Sequence, residues 1–229
     1  MVDVSTMMAE MRSVRPQLSD EAATYVRALI MSGELPPGAS VRVDAIAEAL
    51  DISTTPAREA LQALRVEGFL DLIPRHGFRV AQLTGQDIED LFRVQALVAG
   101  ELVARAAVNA TDADIERLTA IHERLVAVAN IDDMERLEEL NHLFHRELYR
   151  IARSPKILWV LGLLTRYVPR MFYANIPGWP ESTKEDHGAI LDMIVARQPE
   201  EARRAMSEHL GHSGSLLAAH FDERLRADH

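Results

Sequence analysis

Asn141 and His145 are four residues apart, the spacing that lets two side chains on one helix face reach a common ion. The periodicity around them predicts a helix over about 132–152, whose apolar stripe is Leu137, Leu140, Phe144, Leu148 and Ile151. At about 100° per residue, Asn141 and His145 fall on the inner flank of that stripe, whereas His142 points away from it. A helix over about 183–197 sets His187 in line with Ile190, Leu191 and Ile194. The last helix sets His209 in line with Ala202, Ala205 and Met206. A single inward histidine is more often a satisfied core residue than a ligand. Three of them, with an amide oxygen one turn before the first, point toward a shared site.

A second set of residues suits nucleic acid. The segment from Val43 to Val80 spells two short helices, a tight turn and a two-stranded tail closed by Gly77. Its first helix runs from about Val43 to Leu50, and Asp51-Ile52-Ser53 turns the chain. The second helix starts near Thr54 or Thr55, whose hydroxyls suit an N-cap, with Pro56 in the first turn. Ala57, Ala60, Leu61 and Leu64 make its inward stripe; Arg58, Gln62 and Arg65 face the other way. A helix entering a major groove needs that separation of faces. The alternation through Phe69–Ile73 and Phe78–Val80 reads as a hairpin, with the basic tip Pro74-Arg75-His76-Gly77 able to reach an adjacent groove.

These residues need a scaffold in two parts, and the fold expected is mainly α: a winged helix-turn-helix followed by an all-α bundle of six or seven helices. Residues 1–17 lack periodicity and read as a flexible arm. Residues 18–81 form the DNA-binding domain, opened by a helix over about 19–32 with Ala22, Val26, Leu29 and Ile30 inward. Residues 82–86 read as a polar linker. Residues 87–226 show only helical periods, broken near Asn109, Asn130, Ser154, Ile176 and Gln198. The dipeptide Trp179-Pro180 reads as part of a loop over the bundle. No cysteine, signal peptide or membrane-length apolar run is present, which argues for a soluble cytoplasmic protein. The net charge is −10, and through Val80 eight arginines meet eleven carboxylates for a net of −3. DNA binding must therefore rest on a local patch around Arg58, Arg65, Arg75 and Arg79, doubled by dimerisation.

The string from Leu18 to Val80 closely resembles the N-terminal domain of the GntR family of bacterial transcription regulators. The family's Ile-Xaa-Ser-Gly-Xaa-Leu-Xaa-Pro-Gly pattern is Ile30 to Gly38 here, and its recognition-helix core is Ser53-Thr54-Thr55-Pro56-Ala57-Arg58-Glu59-Ala60-Leu61. The resemblance, joined to the faces read above, implies DNA contacts from Thr54, Thr55, Arg58, Gln62, Arg75, His76 and Gly77. Thr54 departs from the arginine usual at its position, so a cationic fork is missing there.

The second half resembles the FCD ligand-binding domain of the FadR subfamily, on the segments NHLFHREL, EDHGAILDMI and AMSEHL. That implies metal ligands at Asn141, His145, His187 and His209, with Zn²⁺ the first candidate and Ni²⁺ or Mn²⁺ after it. Asn141 replaces the common aspartate, so all four ligands are neutral, and an anionic effector filling an open coordination position would supply charge. Gln95 stands where the family usually has arginine. It and His122 lie on otherwise apolar faces and, with Arg166 and Arg170, are the candidates for an effector pocket. His212, His220 and His229 are expected not to be ligands.

Together these readings imply a homodimeric regulator, a repressor by family habit. It would bind a palindromic double-stranded DNA operator, respond to a small organic or sugar acid, and have no membrane role. Two alternatives stand beside it. One is a metal-dependent hydrolase fused to a DNA-binding domain, which would want a general base near the metal. Glu185 and Asp186 adjoin His187 in sequence, but helical geometry turns both away from it. The other is a regulator whose second domain only dimerises around a structural metal site.

Overall fold

A computed structural model describes residues 18–131, 133–165, 173 and 176–227 of the chain, which divides into two units between Leu83 and Thr84. The expected arm, 1–17, lies outside the described residues.

In the first unit, apolar residues at helical spacing build α1 (Leu18–Met31), which buries Ala22, Ala23, Val26, Ile30 and Met31. Leu29 is only half-buried, because its position falls about 60° off the row made by Ala22, Val26 and Ile30. Gly33, at φ +84°, ends the helix in a conformation that favours glycine. Then follow β1 (Ser40–Val41), α2 (Val43–Ala49), α3 (Thr54–Val66), β2 (Leu70–Ile73) and β3 (Gly77–Val80). The strands form one antiparallel sheet in the order β1-β3-β2, with Val41 opposite Phe78 and Ile73 opposite Gly77. Strand β1 was not expected, since two residues are too few to show alternation.

The inward stripe of α3, Ala57, Ala60, Leu61 and Leu64, is buried, and α3 packs against α1. Across that joint, Arg27 donates to Glu67 at 2.6 Å and lies over the Phe69 ring. The N-cap of α3 is Ser53, in extended conformation and without a side-chain cap bond, and not a threonine. Thr54 and Thr55 are already helical, which places Pro56 third in the helix, where a missing N–H forfeits no intrahelical bond.

Among the described residues the second unit is six helices: α4 (Gly85–Asn109), α5 (Asp112–Ala129), α6 (Met134–Ile151), α7 (Pro155–Leu164), α8 (Trp179–Val195) and α9 (Pro199–Ala227). Two of them open with reciprocal caps, Thr84 with Asp87 and Thr111 with Asp114. The first cap draws Thr84 to Gln86, read as linker, into the helical unit. Helices α4 and α9 approach closely through glycine: a Cβ on Gly100 would stand 3.0 Å from Arg203 Cγ, and one on Gly214 would stand 2.7 Å from Phe92 Cβ. The core between the helices includes Leu102, Val103, Leu118, Phe144, Leu148, Ile190, Ile194 and Met206.

Trp179 corrects one expectation. It is the first residue of α8, not part of a loop, and it is 2% exposed and stacked on Tyr173 at 5.5 Å. Gly178 takes φ +82° as the N-cap, and Pro180 fits the first turn, so residues that read as loop punctuation start a helix. No helix among the described residues is long and apolar enough to cross a membrane.

Candidate metal centre and nucleic-acid face

Three helices of the second unit bring one imidazole each to a common point. The stripes of α6, α8 and α9 bury Phe144, Ile190 and Met206, and that packing turns His145, His187 and His209 toward one another. His145 Nε2 lies 3.2 Å from His187 Nε2 and 3.3 Å from His209 Nε2. Ligand atoms of all three lie within 4.8 Å of one another. His187 stacks on Phe144 at 4.3 Å between centroids, which fixes its plane. His187 and His209 are buried; His145 is intermediate as a residue, with its Nδ1 sealed from solvent.

This geometry fits a divalent cation better than a hydrogen-bonded core. Burial, with the neighbouring imidazole of His209 adding to it, pushes the pKa values of His145 and His187 well below the ordinary histidine range. Both rings are therefore neutral near pH 7. His209 Nδ1 donates to Asp186 Oδ2 at 3.3 Å, which leaves its Nε2 as the ring nitrogen turned to His145. His145 Nε2 meets a ring nitrogen on each side, and its one hydrogen or one lone pair can make only one of the two contacts a good hydrogen bond. Two nitrogens bound about 2.1 Å from a tetrahedral ion are roughly 3.4 Å apart, close to both separations. Four buried polar atoms here have no hydrogen-bond partner: His122 Nδ1, His145 Nδ1, His187 Nδ1 and Thr183 Oγ1. Native interiors leave such atoms unpaired where a water or ligand belongs; an ion held at the Nε2 atoms would not pair with them.

Asn141 lies one turn before His145 on α6 and is half-buried. Gln95 is 4% exposed, as its place on an apolar stripe suggested, and its amide donates to the Leu164 carbonyl at 3.4 Å. His122 is half-buried beside Phe144, and a Cβ on Gly188 would stand 3.5 Å from its Nε2, which puts it next to the turn that carries His187. Arg166 and Arg170 lie outside the described residues, as does His229.

Sequence reasoning missed Asp186. It does turn away from His187, but toward α9, where it meets His209 and, at 3.1 Å, His212 Nδ1. Ser182 Oγ donates to the same carboxylate at 3.1 Å. The signal is available only once α8 and α9 are known to pack side by side. Glu185 is exposed.

In the first unit Thr54, Thr55 and Arg58 are exposed on α3 and Gln62 is half-buried, all opposite the stripe that packs inward. Arg75, His76 and Gly77 are exposed at the tip of the β2–β3 hairpin, where Arg75 (φ +67°) and Gly77 (φ +84°) make the reversal and His76 N–H donates to the Ile73 carbonyl.

A winged helix-turn-helix with a polar outer face, continued by an all-α body around a histidine cluster, defines a class: DNA-binding regulators with a ligand-sensing domain. Residues 18–80 match the family of bacterial regulatory proteins, gntR family, and residues 90–212 match the FCD domain. The chain belongs to the GntR family of transcription regulators, in the branch that carries an FCD domain. It is 29% identical to the probable D-xylose utilization operon transcriptional repressor of Paenarthrobacter nicotinovorans, over 87% of this chain and 88% of that protein. With the Glc operon transcriptional activator of Escherichia coli it shares 25% identity, over 87% and 89%. The solved structure of E. coli McbR/YncC superposes with a TM-score of 0.66 at 25% identity, covering 89% of this chain and 98% of that one. The relatives are regulators, so the hydrolase alternative falls: this is a DNA-binding transcription regulator and not an enzyme.

Proposed function

We propose that the protein is a cytoplasmic, homodimeric repressor whose operator affinity is controlled by a small carboxylate metabolite bound beside a divalent metal in the helical unit. The observation that carries this reading is the convergence of three imidazoles from three different helices, with Nε2 separations of 3.2 and 3.3 Å. An ion at the point where the Nε2 atoms converge would use the lone pairs that they cannot all share as hydrogen bonds. His145, His187 and His209 would hold the ion, with Asn141 as the fourth ligand. The bound ion supplies a positive centre that attracts a carboxylate. His122, with its unpartnered Nδ1, offers a hydrogen bond to an organic or sugar acid lodged there. Gln95, its amide given to Leu164, serves as a tie between α4 and α7 instead.

DNA contacts fall to Thr54, Thr55, Arg58 and Gln62 on α3 and to Arg75, His76 and Gly77 at the wing tip. Phosphate attraction from a chain of net charge −10 is local and weak, so two copies on a palindrome are needed. The apolar surface of the helical unit supports dimerisation. Arg105 donates to Ser154 Oγ at 3.0 Å and Gln95 to the Leu164 carbonyl, which sets α7 antiparallel beside α4. Val94 and Leu97 on α4 and Leu158, Trp159, Val160 and Leu163 on α7 are all exposed there. Large apolar side chains exposed in such number on two adjacent helices suit a partner surface. Repression follows the first relative named above, while the activator among the relatives shows that the family contains both signs.

The deciding experiment is calorimetric titration of metal-stripped and zinc-loaded protein with a panel of organic and sugar acids, paired with operator mobility shifts. An acid that binds only the zinc-loaded form and releases operator is the expected result. Equal affinity with and without metal overturns the metal-linked mechanism.

A further inference from the structure

The ligand set Asn141, His145, His187 and His209 carries no negative charge, yet a carboxylate stands directly behind one member. Asp186 is one residue before His187 on α8, so it points about 100° away from the cluster and into the seam with α9. There its Oδ2 faces His209 Nδ1 at 3.3 Å, and both its oxygens lie 3.1 Å from His212 Nδ1, one turn further along α9. Ser182, four residues earlier on α8, donates to Oδ2 at 3.1 Å and helps fix the carboxylate's orientation. The Asp186 side chain is 15% exposed and that of His209 is 4% exposed, so water competes little for their contact.

We infer that Asp186 is the positioning carboxylate of the metal centre. By accepting the Nδ1–H of His209 it holds Nε2 toward His145, raises the basicity of that nitrogen, and brings the negative charge that the neutral ligand set lacks. A carboxylate behind a ligating imidazole fixes tautomer and ring plane together, and its loss typically weakens metal binding 10- to 100-fold. His145 and His187 have no such partner, since the Nδ1 of each is buried without a hydrogen bond. The cluster therefore depends on Asp186 for orientation and compensation at its one braced ligand.

This inference rests on the reading that the three histidines bind a divalent cation, and the test separates the two. Zinc affinity is measured by competition with a chromophoric chelator for the full-length wild type, Asp186→Asn, Asp186→Ala and His209→Ala, with thermal unfolding of each metal-free form. The expected order is wild type tightest, then Asp186→Asn, which keeps an acceptor oxygen but no charge, then Asp186→Ala at 10- to 100-fold weaker. Two-bond proton–nitrogen NMR of zinc-loaded wild type should show His209 protonated at Nδ1, with that signal altered in Asp186→Asn. If both Asp186 variants bind zinc as the wild type does, the inference is overturned while the metal reading stands, whatever happens to their melting temperatures. If wild type binds no zinc, the metal reading fails and takes this inference with it.

Discussion

His145 and His187 are 42 residues apart in the chain, yet their Nε2 atoms lie 3.2 Å from each other across the seam between α6 and α8. A cation that binds the folded state and not the unfolded one stabilises by mass action, by about 2.7 kcal/mol at 100 times its dissociation constant. Zinc added to metal-stripped protein should therefore raise the melting temperature in a concentration-dependent way. His187→Ala should remove that rise. A variant that still gains stability from zinc to the wild-type extent would place the ion elsewhere.

The same two rings make stability depend on pH. Both are held neutral in the folded protein by burial, with pKa values well below the roughly 6.5 of the unfolded chain. Below pH 6.5 the unfolded state binds more protons than the folded one, so stability falls with falling pH. The contribution is complete above about 6.5 and is lost progressively toward the depressed folded values, at up to about 1.4 kcal/mol per pH unit for each ring. Denaturation of metal-free protein between pH 7.5 and 5 should show this slope, and a double variant with Gln at both positions should flatten it. Parallel curves for the two proteins would refute the assignment.

Much of this was readable from spacing. Inward stripes on α3, α6, α8 and α9 follow from period 3.6, and each fixes the side of its helix on which the candidate side chains lie without reference to any other helix. What failed to read depends on partners. Trp179 and Pro180 look like loop residues until Gly178 supplies a left-handed cap and Tyr173 a stacking surface. Asp186 looks idle beside His187 until α9 packs against α8 and presents His209. Ser53 takes the cap position in place of the threonines, and Pro56 fits the first turn with either start, so the proline does not fix the boundary.

Asp114 ties α5 to α6. Its carboxylate accepts the Thr111 hydroxyl and backbone N–H, closing the helix cap, and pairs with Arg150 at 2.6 Å and with Arg117. The hydrogen bonds from Thr111, with Arg150 adding to them, hold its pKa far below the usual carboxylate range. Asp114→Ala should lower unfolding free energy by about 2 kcal/mol, as a cap is lost together with a charge-assisted bond. The check is the midpoint of urea denaturation at pH 7; a midpoint equal to wild type would mean that the network contributes nothing.

Leu97 is 71% exposed and Trp159 63% exposed, on helices that run side by side. Large apolar side chains exposed together on a single chain suit a surface that a partner covers. Leu97→Glu with Trp159→Glu should convert a dimer to monomer in sedimentation velocity and weaken operator binding without unfolding the chain. If the doubly substituted protein sediments as the wild type does, dimerisation uses another surface.

Arg58 offers the sharpest test of the nucleic-acid face, because Thr54 leaves no cation ahead of it on α3. The side chain is exposed and opposite the buried stripe, so its removal disturbs no packing. Each phosphate contact contributes about 0.9 to the slope of log affinity against log salt. If Arg58 meets phosphate, a dimer of Arg58→Ala should lose roughly 1.8 of that slope and bind all sequences more weakly. If it meets guanine, the slope should change little, while discrimination at one base pair of each half-site falls by about 1–3 kcal/mol. Mobility shifts at two salt concentrations, on operator and on scrambled duplex, separate these cases. Wild-type affinity on both duplexes would remove Arg58 from the interface, and retained zinc binding by the variant would show that any loss is not misfolding.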